Sequence, residues 1–391
     1  MKRIPAVLVL GVLVLASPTI TGCEDDAATD SAGATTTPAA ASTPSATPTP
    51  ADPTPTDPTP TGAADPVLDL AGLPQGPPPA LVYGVDPHPT FLDGHFRLVD
   101  RGAIDQPLRR GPLGPFVWYD DGRAVTSYGT EAGVAVEVLG PDGEVAESTV
   151  GLAGYGLAAT PDASIVGWLE DDGTVTVLED GARRTLSLPA VTGGDHLGAI
   201  LGSGTCQEDY PEGGGCTAFV NSAPGAERPR AWLTTSHGIV DVVPHLTEVR
   251  DAADDGSLVG RLSGHGDDPG CSGVLTPRGR VSWRTCERRL IDLSSDGDHV
   301  IGVVGDPAYG LVRAVTVYDR SGDAVASWSV PGGRSSRIES LAWEGDDAVL
   351  AVVHDRGAWS VVRLLLDGTA EYAVGPIDLA PDFSPYQLPI T

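Results

Sequence analysis

Residues 290–304 read LIDLSSDGDHVIGVV: an apolar run, a turn built on Asp296-Gly297, then a second apolar run. An Asp side chain accepts a hydrogen bond from the backbone two residues on, and Gly tolerates the positive φ of a tight reversal. The segment therefore reads as two strands joined by a short turn. The same form recurs in FVWYDDGRAVTSYG (116–129), GLAATPDASIVGWL (156–169), VRDAADDGSLVGRL (249–262) and SLAWEGDDAVLAVV (340–353). Their turn aspartates, Asp121, Asp162, Asp255, Asp296 and Asp346, stand 41, 93, 41 and 50 residues apart. The wide interval holds a further repeat, with HLGAILGSG (196–204) supplying a degenerate turn. Two more strand-like runs follow each turn, and Asp142-Gly143, Asp180-Gly181 and Ser321-Gly322 are hairpin signals between alternating hydrophobics. Four short strands in roughly 45 residues make the blade of a β-propeller.

Strands are left over at both ends of the repeats: ALVYGV (80–85) and HFRLVDRG (95–102) before them, SPYQLPI (384–390) after them. They assemble into a seventh blade in which the C-terminus gives the innermost strand and the N-terminal segment the others. That arrangement ties the ring and removes free edges. The expected fold is an all-β propeller of seven four-stranded blades over residues 67–391, with six or eight blades as alternatives. The Asp-Gly turn after the innermost strand resembles the TolB-like and WD-repeat propellers of bacteria, although no repeat ends in Trp-Asp.

Residues 1–22 form a leader. Met1-Lys2-Arg3 is positive, and the uncharged run Ala6–Ala16 suits a signal-peptide core but is short for a membrane span of roughly 20 residues. Ile20-Thr21-Gly22-Cys23 resembles a bacterial lipobox. The resemblance implies that Cys23 is lipidated and becomes the N-terminus, placing the protein on the outer face of the cell membrane. Two or three acyl chains hold a protein stably on a bilayer, where one does so only marginally. Residues 23–66 contain TPTPADPTPTDPTPTG (47–62), no aromatic residue and no aliphatic larger than Ala. Such a segment cannot bury enough surface to offset chain entropy, so it is expected to be a disordered Thr/Pro-rich tether.

The chain has 24 basic and 53 acidic residues, a net charge of −29. The leader removes two of the bases and none of the acids. So acidic a surface repels nucleic acid and anionic headgroups, which leaves covalent lipid as the membrane contact.

With Cys23 lipidated, four cysteines remain in an exported chain, and two disulfides are expected. Cys271 and Cys286 flank a hairpin centred on Pro277-Arg278-Gly279, which sets them opposite each other. Cys206 and Cys216 bracket the polar loop QEDYPEGGG.

No GxSxG, HExxH, P-loop or post-strand GxGxxG motif occurs, nor an EF-hand ligand series. No catalytic residue, metal site or cofactor is assigned. The loops between second and third strands gather at one mouth of a propeller channel, and here they carry His265, Asp267, Asp268, Asp306, His354 and Asp355. These are the candidate ligand-binding residues. Convergent carboxylates with two histidines could bind a basic ligand or a structural cation, or work as an acid/base couple. The tryptophans fall mostly within strand patterns and read as packing between blades. The leading functional reading is a monomeric, non-enzymatic lipoprotein that binds a protein, peptide or cell-wall partner. A cell-envelope hydrolase or lyase and a structural spacer are the alternatives.

Overall fold

The computed structural model describes residues 65–390 except 87–94, 101–102, 111–114, 120, 131–132, 153–155, 180, 188–194, 203–205, 207–214, 224, 237, 239, 265–269, 307–310, 333–334 and 379–383. Residues 1–64, which include the expected leader, Cys23 and most of the expected tether, lie outside the described residues, as do His265, Asp267 and Asp268. Within them every regular element is a strand, and the strands form seven four-stranded antiparallel sheets. The seven-bladed β-propeller read from the repeats is the fold.

Blade 1 runs Tyr386–Gln387, Tyr83–Val85, His95–Asp100, Ala103–Arg110 from axis to rim. The C-terminal strand occupies its inner position, with Gly84 opposite Gln387, so both chain ends close the ring. Blade 2 is Phe116–Trp118, Ala124–Thr130, Gly133–Leu139, Val145–Leu152, and blade 3 is Leu157–Ala159, Ile165–Leu169, Thr174–Glu179, Ala182–Ser187. Blade 4 is His196–Gly202, Cys216–Asn221, Ala231–Thr235, Val240–Val242. Blade 5 is Leu246–Ala252, Leu258–Leu262, Ser272–Leu275, Val281–Thr285. Blade 6 is Arg289–Leu293, His299–Val304, Ala314–Asp319, Ala324–Ser329, and blade 7 is Ser336–Trp343, Ala348–Asp355, Ala358–Leu365, Ala370–Asp378.

The apolar alternation along these strands fills the seams between neighbouring blades. Leu98 of blade 1 packs with Phe116 and Leu139 of blade 2; Val117 and Val125 of blade 2 pack with Leu157 and Val166 of blade 3. Ile165 meets Ile200, Phe219 meets Val249, and Trp283 meets Leu290 and Tyr318 across the next three seams. Trp328 joins blades 6 and 7, and Trp359 joins blade 7 to Tyr83 and Tyr386 of blade 1. Each of these clusters spans two blades that are neighbours in the ring, which is why the ring needs every blade. A fully buried aliphatic or aromatic side chain contributes about 1.5–3 kcal/mol. The buried tryptophans, Trp168, Trp283, Trp328, Trp343 and Trp359, lie in these seams, as the strand patterns imply.

The turns behave as their chemistry dictates. Asp121, Asp162, Asp255 and Asp296 each accept the backbone N–H two residues on, at 2.8–3.0 Å. Burial pushes the Asp162 carboxyl up, but hydrogen bonds from Thr160 and Ser164 outweigh it and hold the group below the ordinary range. Gly256 follows its Asp at φ 84°, a conformation other residues adopt only with strain. Asp346 differs: it accepts the Ser295 hydroxyl of the blade 6 turn at 2.9 Å. In blade 4 the corresponding connection is longer, and Cys206 lies at bridging distance from Cys216, Cα–Cα 4.8 Å. Cys271 and Cys286 flank the blade 5 hairpin at 4.1 Å. Both pairs are the expected ones.

Before entering blade 1 the chain forms a strap over the rims of blades 6 and 7. Val67 bridges Ser329 in parallel, Gln75 bridges Tyr372, and Leu68 and Leu70 are buried in the seam between those blades. The Asp65 carboxylate takes both oxygens to Arg288, at 2.8 and 2.7 Å. Arg363, 8 % exposed, chelates Glu344, donates to Glu371 at 2.5 Å, and reaches the Pro77 and Pro78 carbonyls at 3.1 Å. Five donors fixed in a planar fork suit this role, since every partner is an oxygen.

Candidate functional site: the channel axis

Four inner strands carry a β-bulge at matching places. The register slips between Leu197 and Ala199, Val249 and Asp251, Leu290 and Asp292, and Ile338 and Ser340. A bulge leaves one residue unpaired and re-aims its neighbours. Gly198, Arg250 and Ile291 occupy bulge positions and line a cavity of about 310 Å³ on the ring axis. Gly198 is there because the next inner strand crowds it: a Cβ would overlap the Val249 carbonyl oxygen.

The cavity has two unlike walls. Toward blades 1 to 4 it is lined mainly by Leu157, Ala159, Ala199, Leu388 and Ile390, together with Gln387. Toward blades 5 to 7 it presents Arg250, Asp251, Asp292 and Ser340, with Ile291 and Leu341 among them. Asp251 accepts the Leu293 N–H at 2.7 Å, spanning the seam between blades 5 and 6, and its carboxyl lies beside that of Asp292. Both side chains are half-buried by area because they face the lumen, yet protein surrounds them. Burial raises both carboxyls, and the negative charge of Asp251 pushes Asp292 further up. Two carboxyls so placed disfavour being ionised together, which favours a proton held between them. Such a pair can offer a donor and an acceptor together, take a cation in place of its proton, or pass a proton.

Cations nearby already have partners. Arg250 pairs with Glu248 at 2.9 Å, and Arg289 with Asp306 at 2.9 Å. Arg337 pairs with Glu339 at 2.9 Å. Burial, with the charge of Arg289, works to lower Arg250 against the pull of Glu248. Asn221 fastens blade 4 to blade 5 by bonding both backbone groups of Val249, at 2.7 and 2.8 Å, and its amide nitrogen lies 3.3 Å from His196 Nε2. Burial depresses the His196 imidazole, against the pull of Glu248 and Asp195.

Of the residues singled out in the sequence, Asp306 meets Arg289 at the mouth. His354 lies inside blade 7, 2 % exposed, its ring 4.7 Å from that of Trp359, with Arg337 stacked 4.9 Å over the same indole. Burial, then the Arg337 charge, depresses its imidazole. Asp355 accepts the Ser336 hydroxyl at 2.5 Å and lies 3.5 Å from Arg356. Among the described residues no group of three or more His, Cys, Asp or Glu side chains is arranged to hold a metal ion. Asp251 and Asp292 were not singled out. Their signal is positional: each stands four residues before a turn aspartate, Asp255 and Asp296.

The molecule is thus a seven-bladed propeller with a polar-walled axial cavity. No family model and no curated protein matches the chain. Among solved structures it is similar to Hsv2 from Kluyveromyces marxianus, at 10 % identity and TM-score 0.44, over 71 % of this chain and 87 % of that one. Hsv2 of Kluyveromyces lactis gives 10 % and 0.44 over 69 % and 87 %. A eukaryotic initiation factor gives 13 % and 0.38 over 79 % and 90 %. The fold assignment rests on the strand pairing.

Proposed function

We propose that the chain is a lipid-anchored extracytoplasmic binding module. Cys23 carries the lipid, residues 23–66 hold the ring off the membrane, and the propeller takes a protein, peptide or cell-wall ligand without chemical turnover. The observation that carries this reading is the closed ring itself. With the inner strand of blade 1 supplied by the C-terminus, the scaffold is rigid, and it concentrates polar side chains at the axis and at the mouth around Asp306. Rigid elements presenting a mixed apolar and polar concavity suit ligand capture. Fold alone does not choose the ligand.

The test uses the full-length chain in cells, with a photo-crosslinking residue at Leu311, exposed beside Asp306, or at Glu144 in a turn at the opposite end of the strands. A partner or glycan captured from Leu311 and not from Glu144 supports the reading; equal capture, or none, contradicts it. Cys23→Ala should move the protein out of the membrane fraction, and retention there would remove the lipid anchor.

A further inference from the structure

We propose that the axial cavity is a binding site for an organic ammonium ion, a protonated primary amine on a short apolar chain. This rests on the reading of the propeller as a binding module and names what its axis would hold. The nitrogen sits on the Asp251–Asp292 pair, and the chain lies against Leu157, Ala159, Leu388 and Ile390.

Size, wall chemistry and charge agree on this class. A cavity of about 310 Å³ lies at the lower end of the roughly 300–1,000 Å³ of small-ligand sites. The apolar wall would leave a wholly polar ligand half unsolvated, while the acidic wall would repel an anion. Ser340 lines the same cavity, and its hydroxyl is buried without a partner among the described residues. The charged groups on the inner strands and rim around the pair are His196 from blade 4, Glu248 and Arg250 from blade 5, Arg289 and Asp306 from blade 6, and Arg337 and Glu339 from blade 7. Each arginine has its own acid, and burial favours neutral His196. The lining residues of blades 1 to 3 are uncharged. With one proton held between its two carboxyls, as this proposal takes it, the pair keeps one negative charge that no arginine offsets. Among the described residues the pair has no third His, Cys, Asp or Glu side chain placed to complete a metal site.

Binding is an exchange. The ammonium donates N–H bonds to both carboxyls, the shared proton leaves to water, and no covalent bond to carbon forms or breaks. The pair with its proton and the dicarboxylate with its ammonium carry the same net charge, so occupancy adds no charge to the buried axis.

The experiment is isothermal titration of the full-length chain with n-butylammonium and n-hexylammonium, with hexanol and hexanoate as controls, in buffers of different ionisation enthalpy. The expected result is ammonium binding that strengthens with chain length and releases about one proton, with affinity rising about tenfold per pH unit while the pair holds its proton. Asp292→Asn keeps a hydrogen-bonding partner for Asp251 and should abolish the proton release and flatten the pH dependence. Asp251→Asn with Asp292→Asn should weaken binding by about a hundredfold or more. The proposal is overturned by no ammonium binding at millimolar concentration, by hexanol binding as tightly as hexylammonium, or by unchanged affinity in the double variant. If ammonium binding fails while capture from Leu311 persists, this inference falls and the binding-module reading stands; failure of both sinks the reading.

Discussion

Blades 2 and 3 share one inner-strand plan with blades 5 and 6, yet the two halves of the ring use it for different ends. Four residues before the turn aspartate stand Val117 and Ala158 in the first pair, Asp251 and Asp292 in the second. Val117 is fully buried and closes its seam by packing against blade 3. Asp251 closes its seam by accepting the Leu293 N–H, with Asp292 beside it. The lesson is that a blade can be joined to its neighbour at the axis by dispersion or by a hydrogen bond. Only the second leaves ionisable groups facing the lumen.

The comparison breaks most visibly if an acid is moved to the apolar half. Val117→Asp places a carboxylate in a fully buried apolar seam, and denaturant unfolding should show a loss of about 3–5 kcal/mol. A loss below about 1 kcal/mol would mean that the two seams are interchangeable. Next in size is Asp251→Ala, which orphans the Leu293 N–H and leaves Asp292 without its partner. It should lose about 1–3 kcal/mol in the same assay, and an unchanged midpoint would show that the hydrogen bond does not hold the seam.

The smallest effect is in pH. The raised carboxyl pair binds more protons native than unfolded, so its contribution is complete below the ordinary aspartate value and is lost as pH rises through the folded value. His196 and His354 run the other way. Burial depresses both, so their contribution is complete above the ordinary histidine value and is lost as pH falls below it. Asp292→Asn should therefore gain thermal stability relative to the parent chain as pH rises, by about a few degrees, with the acid limb unchanged. A parallel shift at all pH values would remove the shared proton from the account.

Much of the ring is legible in the sequence because turn chemistry is local. Asp121, Asp162, Asp255 and Asp296 announce their hairpins, and the leftover SPYQLPI has an obvious vacancy to fill. The strap is not legible. Its bonds, from Leu68 to Ser329 and from Gln75 to Tyr372, are isolated and reach across some 260 to 300 residues, leaving no periodicity. His354 lies beside a turn in HDRG but faces inward onto Trp359, and register rather than composition decides that. Asp251 and Asp292 are two among many acids in this chain, and their pairing depends on adjacent blades bulging in step.

The central claim is that the axis holds a carboxyl pair with one proton between its members. Carbon-13 NMR titration of the Asp251 and Asp292 carboxyls in the full-length chain tests it directly. The account predicts two separated steps, the second well above the ordinary aspartate range; both groups titrating together at the ordinary value would contradict it.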